Sequence, residues 1–221
     1  MMICRTRVCS LCSMIICMCS IICVTNRHIC YYDYFTQIEK IAAARPDCII
    51  VREKDLIESE YAGLLSRVKN ICGKYDVKVA AHSFCNAADE LGIKTIHIPL
   101  ERLAAMSDKE KGRYDMIGTS CHSVKDAIKA KVLGASYIIA GHIFETDCKK
   151  GLPGRGVGFL RNVCKNTDIP VYAIGGINDK NIDPVIDAGA KGVCIMSGLM
   201  NCPDPQRYIY KLRGGQNENN R

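Results

Sequence analysis

The chain has no tryptophan, only four phenylalanines and an aromatic content of 6% in 221 residues. It contains no run of five Lys or Arg, and its basic residues are not interleaved with aromatics. Both the charge stripe and the stacking platform that a nucleic-acid partner needs are therefore missing. No low-complexity tract, internal repeat or Pro/Ser-rich linker divides the chain, which excludes a fibrous protein and favours one domain. The pair Cys9 and Cys12 in CSLC has no matched second pair at a finger or ribbon spacing, so no metal is expected there.

What is present is an ordinary globular balance of 48% hydrophobic and 24% charged residues, with a formal charge of +7 spread along the chain. Such a modest excess suits small anionic ligands such as phosphates or carboxylates. Of the 15 cysteines, seven crowd into residues 1–30 and eight are scattered singly; the scattered ones are expected to be reduced core residues. Arg5 and Arg7 precede an uncharged stretch from Val8 to Val24 that superficially resembles a signal peptide or short membrane anchor. No small-residue cleavage motif follows, and IICVTN, Ile21 to Asn26, is needed as a first strand. Residues 1–17 are therefore read as an unstructured or misassigned extension, 18–213 as the folded domain and 214–221 as a polar tail. A cytoplasmic location without a membrane partner is expected.

Short runs rich in Val, Ile and Cys recur, each followed by a segment of helical periodicity, the pattern of repeated βα units around a parallel sheet. The expected strands span 20–25, 47–52, 77–81, 95–98, 116–120, 137–141, 171–174 and 192–196. Helices are expected at 34–44, 56–73, 85–91, 124–133, 156–165, 179–187 and 204–213, with a short crossover of weak helical pattern at 101–114. Ser123 and Asp126 form an approximate capping box, and Gly73, Gly92, Gly134 and Gly189 mark helix ends. Eight such units make an α/β fold, a single (β/α)8 TIM barrel, whose site belongs at the C-terminal ends of the strands.

At those ends stand five histidines: His28, His82, His97, His122 and His142. His122, in GTSCHS, is the candidate catalytic residue, because an imidazole near neutral pH can take a proton from one atom and return it to another. Arg52 and Lys54, in IIVREKD, project cations from alternating positions, and Arg52 is suited to clamping a carboxylate or phosphate. Lys149, Lys150 and Arg155 follow the sixth strand. Gly175 and Gly176 in AIGGI, with Ser197 and Gly198 in IMSG, are spaced as a phosphate site after the last two strands. A metal site from His82, Cys85, Cys121 and His142 is a further alternative, although no close ligand spacing requires it.

In IIVREKD, GTSCHS, GHIFETDCKKGLPGRGV, VYAIGGI and GAKGVCIMSG, from about Ser20 to Leu212, the chain resembles the thiamine-phosphate synthase and TenI family. GHIFETDCKKGL is closest to the TenI branch, the thiazole tautomerases. The resemblance implies a barrel that binds a thiazole phosphate, with the phosphate on Gly175, Gly176, Ser197 and Gly198. It implies proton transfer at His122 and substrate contacts from Arg52, Lys54, Ser120, His142, Thr146 and Lys149. The synthases hold magnesium on carboxylates after strands three and four; the corresponding positions here are His82, Ser83 and Arg102. The expected function is therefore aromatisation of a carboxylated thiazole phosphate tautomer, without a cofactor. The alternatives are a thiamine-phosphate synthase using Mg and joining a pyrimidine diphosphate to thiazole phosphate, and a binding barrel without turnover. Oligomeric state is not specified by these residues, and a homodimer is carried as an expectation.

Overall fold

Runs such as SIICV, CIIV and YIIAG are apolar on both faces, which suits strands with helices on one side and a filled barrel on the other. The computed structural model of the chain describes residues 19–215; the readings of 1–17 and of the tail beyond residue 215 lie outside the described residues. Eight parallel strands close on themselves in chain order: β1 (Ser20–Val24), β2 (Cys48–Val51), β3 (Lys78–His82), β4 (Thr95–Ile98), β5 (Met116–Cys121), β6 (Tyr137–Gly141), β7 (Val171–Ile174) and β8 (Gly192–Ile195). Pairing of Ser20 with Gly192 and Ile22 with Cys194 shuts the cylinder. The structure is the (β/α)8 barrel expected from the sequence.

The period of two sorts the side chains. Ile22, Val24, Ile50, Ala80, Tyr137, Ile139 and Cys194 pack together inside the barrel, whereas Ile21, Cys23, Ile49, Val51 and Ala81 pack outward on the helices. The Tyr137 ring crosses the interior above Gly118, where a Cβ would overlap it, and reaches 5.7 Å from both the His97 and Tyr172 rings. Of the eight scattered cysteines, all free, Cys72, Cys121 and Cys194 are buried as expected of core thiols, whereas Cys48, Cys85, Cys164 and Cys202 are half-buried and Cys148 is exposed.

The helical layer contains α1 (Tyr34–Ala43), α2 (Glu58–Gly73), α3 (Cys85–Glu90), α4 (Leu100–Ala105), α5 (Asp108–Lys111), α6 (Val124–Val132), α7 (Gly156–Lys165), α8 (Asp183–Asp187), α9 (Ser197–Met200) and α10 (Pro205–Leu212). The weak crossover holds two short helices, α4 and α5, separated where Ser107 caps the second through Glu110. The helix expected from residue 179 starts only at Asp183, because the Asn178 and Asn181 side chains bond backbone amides in a turn and Pro184 sits in the first turn. Ser123 does cap α6 by accepting from the Asp126 amide, but the Asp126 carboxylate accepts from the His122 amide, one residue earlier than a capping box requires. Gly92, Gly134 and Gly189 take the positive φ of a helix end; Gly73 remains helical. Among the described residues, no helix is long and apolar enough to cross a membrane.

Gly118→Ala should lower the unfolding free energy by about 1–3 kcal/mol in urea titration, because the methyl must displace the Tyr137 ring from a filled barrel. Gly63→Ala, in α2 with open space around its Cβ, should cost nothing and gain up to about 1 kcal/mol. Equal effects at the two positions would mean that the Tyr137 contact does not constrain the barrel.

Candidate active site

The first two strand mouths are tied by a buried carboxylate. Glu53, 2% exposed, accepts from Thr25 Oγ1 at 2.7 Å, from the Arg27 amide at 3.1 and 3.2 Å and from the Arg27 guanidinium at 3.3 Å. Thr25 Oγ1 in turn accepts from the Arg52 amide at 2.9 Å. With Glu53 turned outward, alternation turns Arg52 and Lys54 the other way, in register with inward-facing Ile50. Tyr61 of α2 joins the next two mouths: its hydroxyl donates to the Val51 carbonyl at 2.7 Å and accepts from the His82 amide at 2.8 Å.

Two cavities open at this end of the barrel and share His122. One, of about 300 Å³, is lined by Lys54, His82, His97, Ser120 and His122, with Glu101 and Asp126 at its edge. The other, of about 260 Å³, gathers His122, His142, Thr146, Lys149, Gly175, Gly176, Ser197 and Gly198. Ten of the eleven residues expected from the sequence thus line one cavity or the other. The exception is Arg52, which lines neither, yet its charge lowers the proton affinity of Lys54, His82 and His97. Burial first, then Arg52 and Lys149, hold the Lys54 ammonium below its ordinary pKa.

Gly175 and Gly176 have φ of 105° and 65°, in the left-handed region. A Cβ on Gly175 would strike His142, and one on Gly176 would strike the Glu145 carbonyl. Their lack of side chains is demanded first by the chain after β6, which crosses over them through the Ile143-to-Ile174 and Phe144-to-Gly175 backbone bonds. The sequence reading assigned that space to a ligand; the structure adds a structural reason.

His122 Nδ1 lies 2.9 Å from the Gly141 carbonyl, which can only accept, so Nδ1 is the donor there and Nε2 is the nitrogen left to a ligand. His142 Nε2 donates to the Leu152 carbonyl at 3.2 Å and so ties the loop after β6 to itself. His28 is no part of the cavities: it is exposed and pairs with Asp55 at 2.9 Å. His82 and His97, read as rim residues, instead face the barrel interior, 9% and 3% exposed. Burial, with Arg52 and Lys54 behind it, pushes His82 down to about 4, and burial, then His82 and Arg52, pushes His97 down to about 3. The alternation Ala80, His82 and Thr95, His97 was the signal that marks them as inward. Arg155 also lines the second cavity.

The alternative metal set does not assemble: Cys121 is buried in the outer, helix-facing core, whereas His82 lies inside the barrel. Among the described residues no group of three or more His, Cys, Asp or Glu could hold a metal ion.

Both buried imidazoles have folded pKa values below the unfolded value near 6.5, so the unfolded chain binds protons that the native state refuses. Stability is full above about pH 6.5 and should fall by on the order of 3 kcal/mol for each of the two histidines as pH drops toward 4. Denaturant titrations across that window should show the loss, smaller in His97→Gln; a flat profile would contradict neutral buried histidines.

A profile of the family described as thiamine monophosphate synthase matches residues 21–199. Thiamine-phosphate synthase 2 of Streptococcus pneumoniae is 31% identical over 201 residues, covering 86% of this chain and 93% of that protein. A thiamine-phosphate synthase of Lacticaseibacillus paracasei is 32% identical over 185 residues, covering 80% and 85%. Among solved structures, thiamine phosphate pyrophosphorylase from Pyrococcus furiosus superposes with a TM-score of 0.77 at 23% identity, covering 88% of this chain and 94% of that one. At that identity the likeness speaks for the fold alone. The sequence relatives carry the name of the coupling enzyme, the alternative in the sequence reading, and none of those reported is named a tautomerase. With its profile, its relatives and its closed barrel in agreement, the chain belongs to the thiamine monophosphate synthase family.

Proposed function

We propose that this family member acts in thiamine biosynthesis by aromatising a carboxylated thiazole phosphate tautomer through proton transfer at His122. The observation that carries the reading is the His122 ring itself, oriented through Nδ1 by the Gly141 carbonyl where the two cavities meet. An imidazole held at Nδ1 can use its other nitrogen to remove a proton from one ring carbon and return it to another, and aromaticity supplies the driving force. Gly176, Ser197 and Gly198 offer backbone amides and a hydroxyl to a phosphate in one cavity. Lys149 lines that same cavity and adds a cation for the phosphate, while Lys54, with Arg52 behind it, suits a carboxylate in the other.

Magnesium, which the resemblance implies for coupling, does not fit the donors present. A hard dication wants several oxygen ligands, chiefly carboxylates. The mouths of β3 and β4 present His82 and Ser83, and Arg102 pairs outward with Glu110 at 3.1 Å. Of the two carboxylates at the cavity edge, Asp126 is engaged by the His122 amide, and the nearby cations oppose a dication. No step through a metal is derived.

The second reading is coupling of a pyrimidine diphosphate to thiazole phosphate. Kinship favours it over tautomerisation, because the relatives reported above bear that name; the donor set favours tautomerisation.

His122→Gln should slow aromatisation by about 10²–10⁴-fold with little change in KM, followed by the appearance of the aromatic product. An unchanged rate would remove His122 from the mechanism. In a separate assay with pyrimidine diphosphate, thiazole phosphate and magnesium, no thiamine phosphate is expected; its formation would establish the coupling reading.

A further inference from the structure

His97 is one of two imidazoles inside the barrel, and its hydrogen bonding is lopsided. Nε2 lies 2.9 Å from Ser120 Oγ, whereas Nδ1 is buried without a partner. Two neutral tautomers are available. With the proton on Nδ1, a buried N–H would be orphaned in a ring stacked on that of His82 at 5.6 Å. With the proton on Nε2, only a lone pair is orphaned. The second arrangement costs less, since unpaired buried N–H groups are the rarer and dearer defect.

In that tautomer Ser120 Oγ accepts from His97, and its own hydroxyl proton has no acceptor among the described residues. Ser120 is part-exposed and lines the same cavity as Lys54 and His122. Two donors, one of them cationic, therefore address one space.

We propose that His97 is a positioning residue for Ser120: its Nε2–H donates to Ser120 Oγ and directs the hydroxyl proton into the cavity, where Ser120 and Lys54 together hold a carboxylate of the ligand. This rests on the reading that the ligand is a carboxylated thiazole phosphate. It assigns the carboxylate to this cavity and its selectivity to a side chain, His97, that does not itself touch the ligand. Apolar packing of Tyr137 beneath His97, made possible by Gly118, keeps the imidazole from turning away.

The test is a double-mutant cycle read in binding, using carboxylated thiazole phosphate and the same compound lacking the carboxylate, by calorimetry. Wild type should prefer the carboxylated ligand. His97→Leu and Ser120→Ala should each cut that preference about tenfold or more, the value expected for one hydrogen bond to a charged group. The double variant should lose no more than either single one, and His97→Gln, which keeps an N–H donor, should recover most of the loss. Equal weakening toward both ligands, or additive losses, would reduce His97 to a packing residue and overturn the proposal. ¹⁵N spectra of histidine-labelled protein should report the Nε2–H tautomer at neutral pH; an Nδ1–H tautomer or an imidazolium would also overturn it. A wild type that keeps the carboxylate preference without turnover would sink the tautomerase reading and leave this one standing.

Discussion

Closure of the eight-stranded sheet is the constraint on which the site depends. Once β1 pairs with β8, every second residue of every strand must enter a space only wide enough to be filled by side chains. Ile22, Ile50, Ala80, Ile139 and Cys194 fill it. The next inward positions toward the C-terminal ends, among them His82, His97 and Ser120, have no room to leave and become the floor of the site. The chemistry is therefore delivered by the same alternation that builds the core. Glu53 depends on it in the opposite sense, because its outward parity lets it bind the loop after β1 and hold the neighbouring cations inward.

Electrostatics then distinguishes otherwise similar imidazoles. His82 and His97, desolvated and facing Arg52, are kept neutral, which turns them into hydrogen-bonding elements rather than acids. His122 stands at the surface of the same end, oriented by one carbonyl and open at the other nitrogen. The cations that suit a carboxylate or phosphate are the same ones that make the site hostile to a dication. One arrangement thus explains both the anion preference and the poor fit for magnesium.

Much of this was legible in the residues. Strand runs such as CIIV and YIIAG marked all eight strands to within a residue or two, because each is short, apolar and followed by a helical period. The GHIFETDCKK, IGG and MSG segments pointed to one mouth, and they do meet around one cavity. The start of α8 was misread because the Asn178 and Asn181 side chains compete for backbone amides that a helix would otherwise use. His28 was misread because its position after a strand says nothing of Asp55, 27 residues away, which draws it outward.

The sequence by itself determined the barrel, the end of it that carries function and the family, since all three are written in local periodicity and contiguous motifs. Only the tertiary structure decided which nitrogen of His122 is left to a ligand, that His82 and His97 are buried and neutral, and that Lys54 lies within Coulombic reach of Arg52 and Lys149. These facts depend on the Gly141 carbonyl, on Ser120 and on Arg52, residues brought within bonding or Coulombic reach by barrel closure rather than by proximity along the chain. Hydrogen-bond direction and desolvation are properties of such neighbours, and no spacing in the chain encodes them.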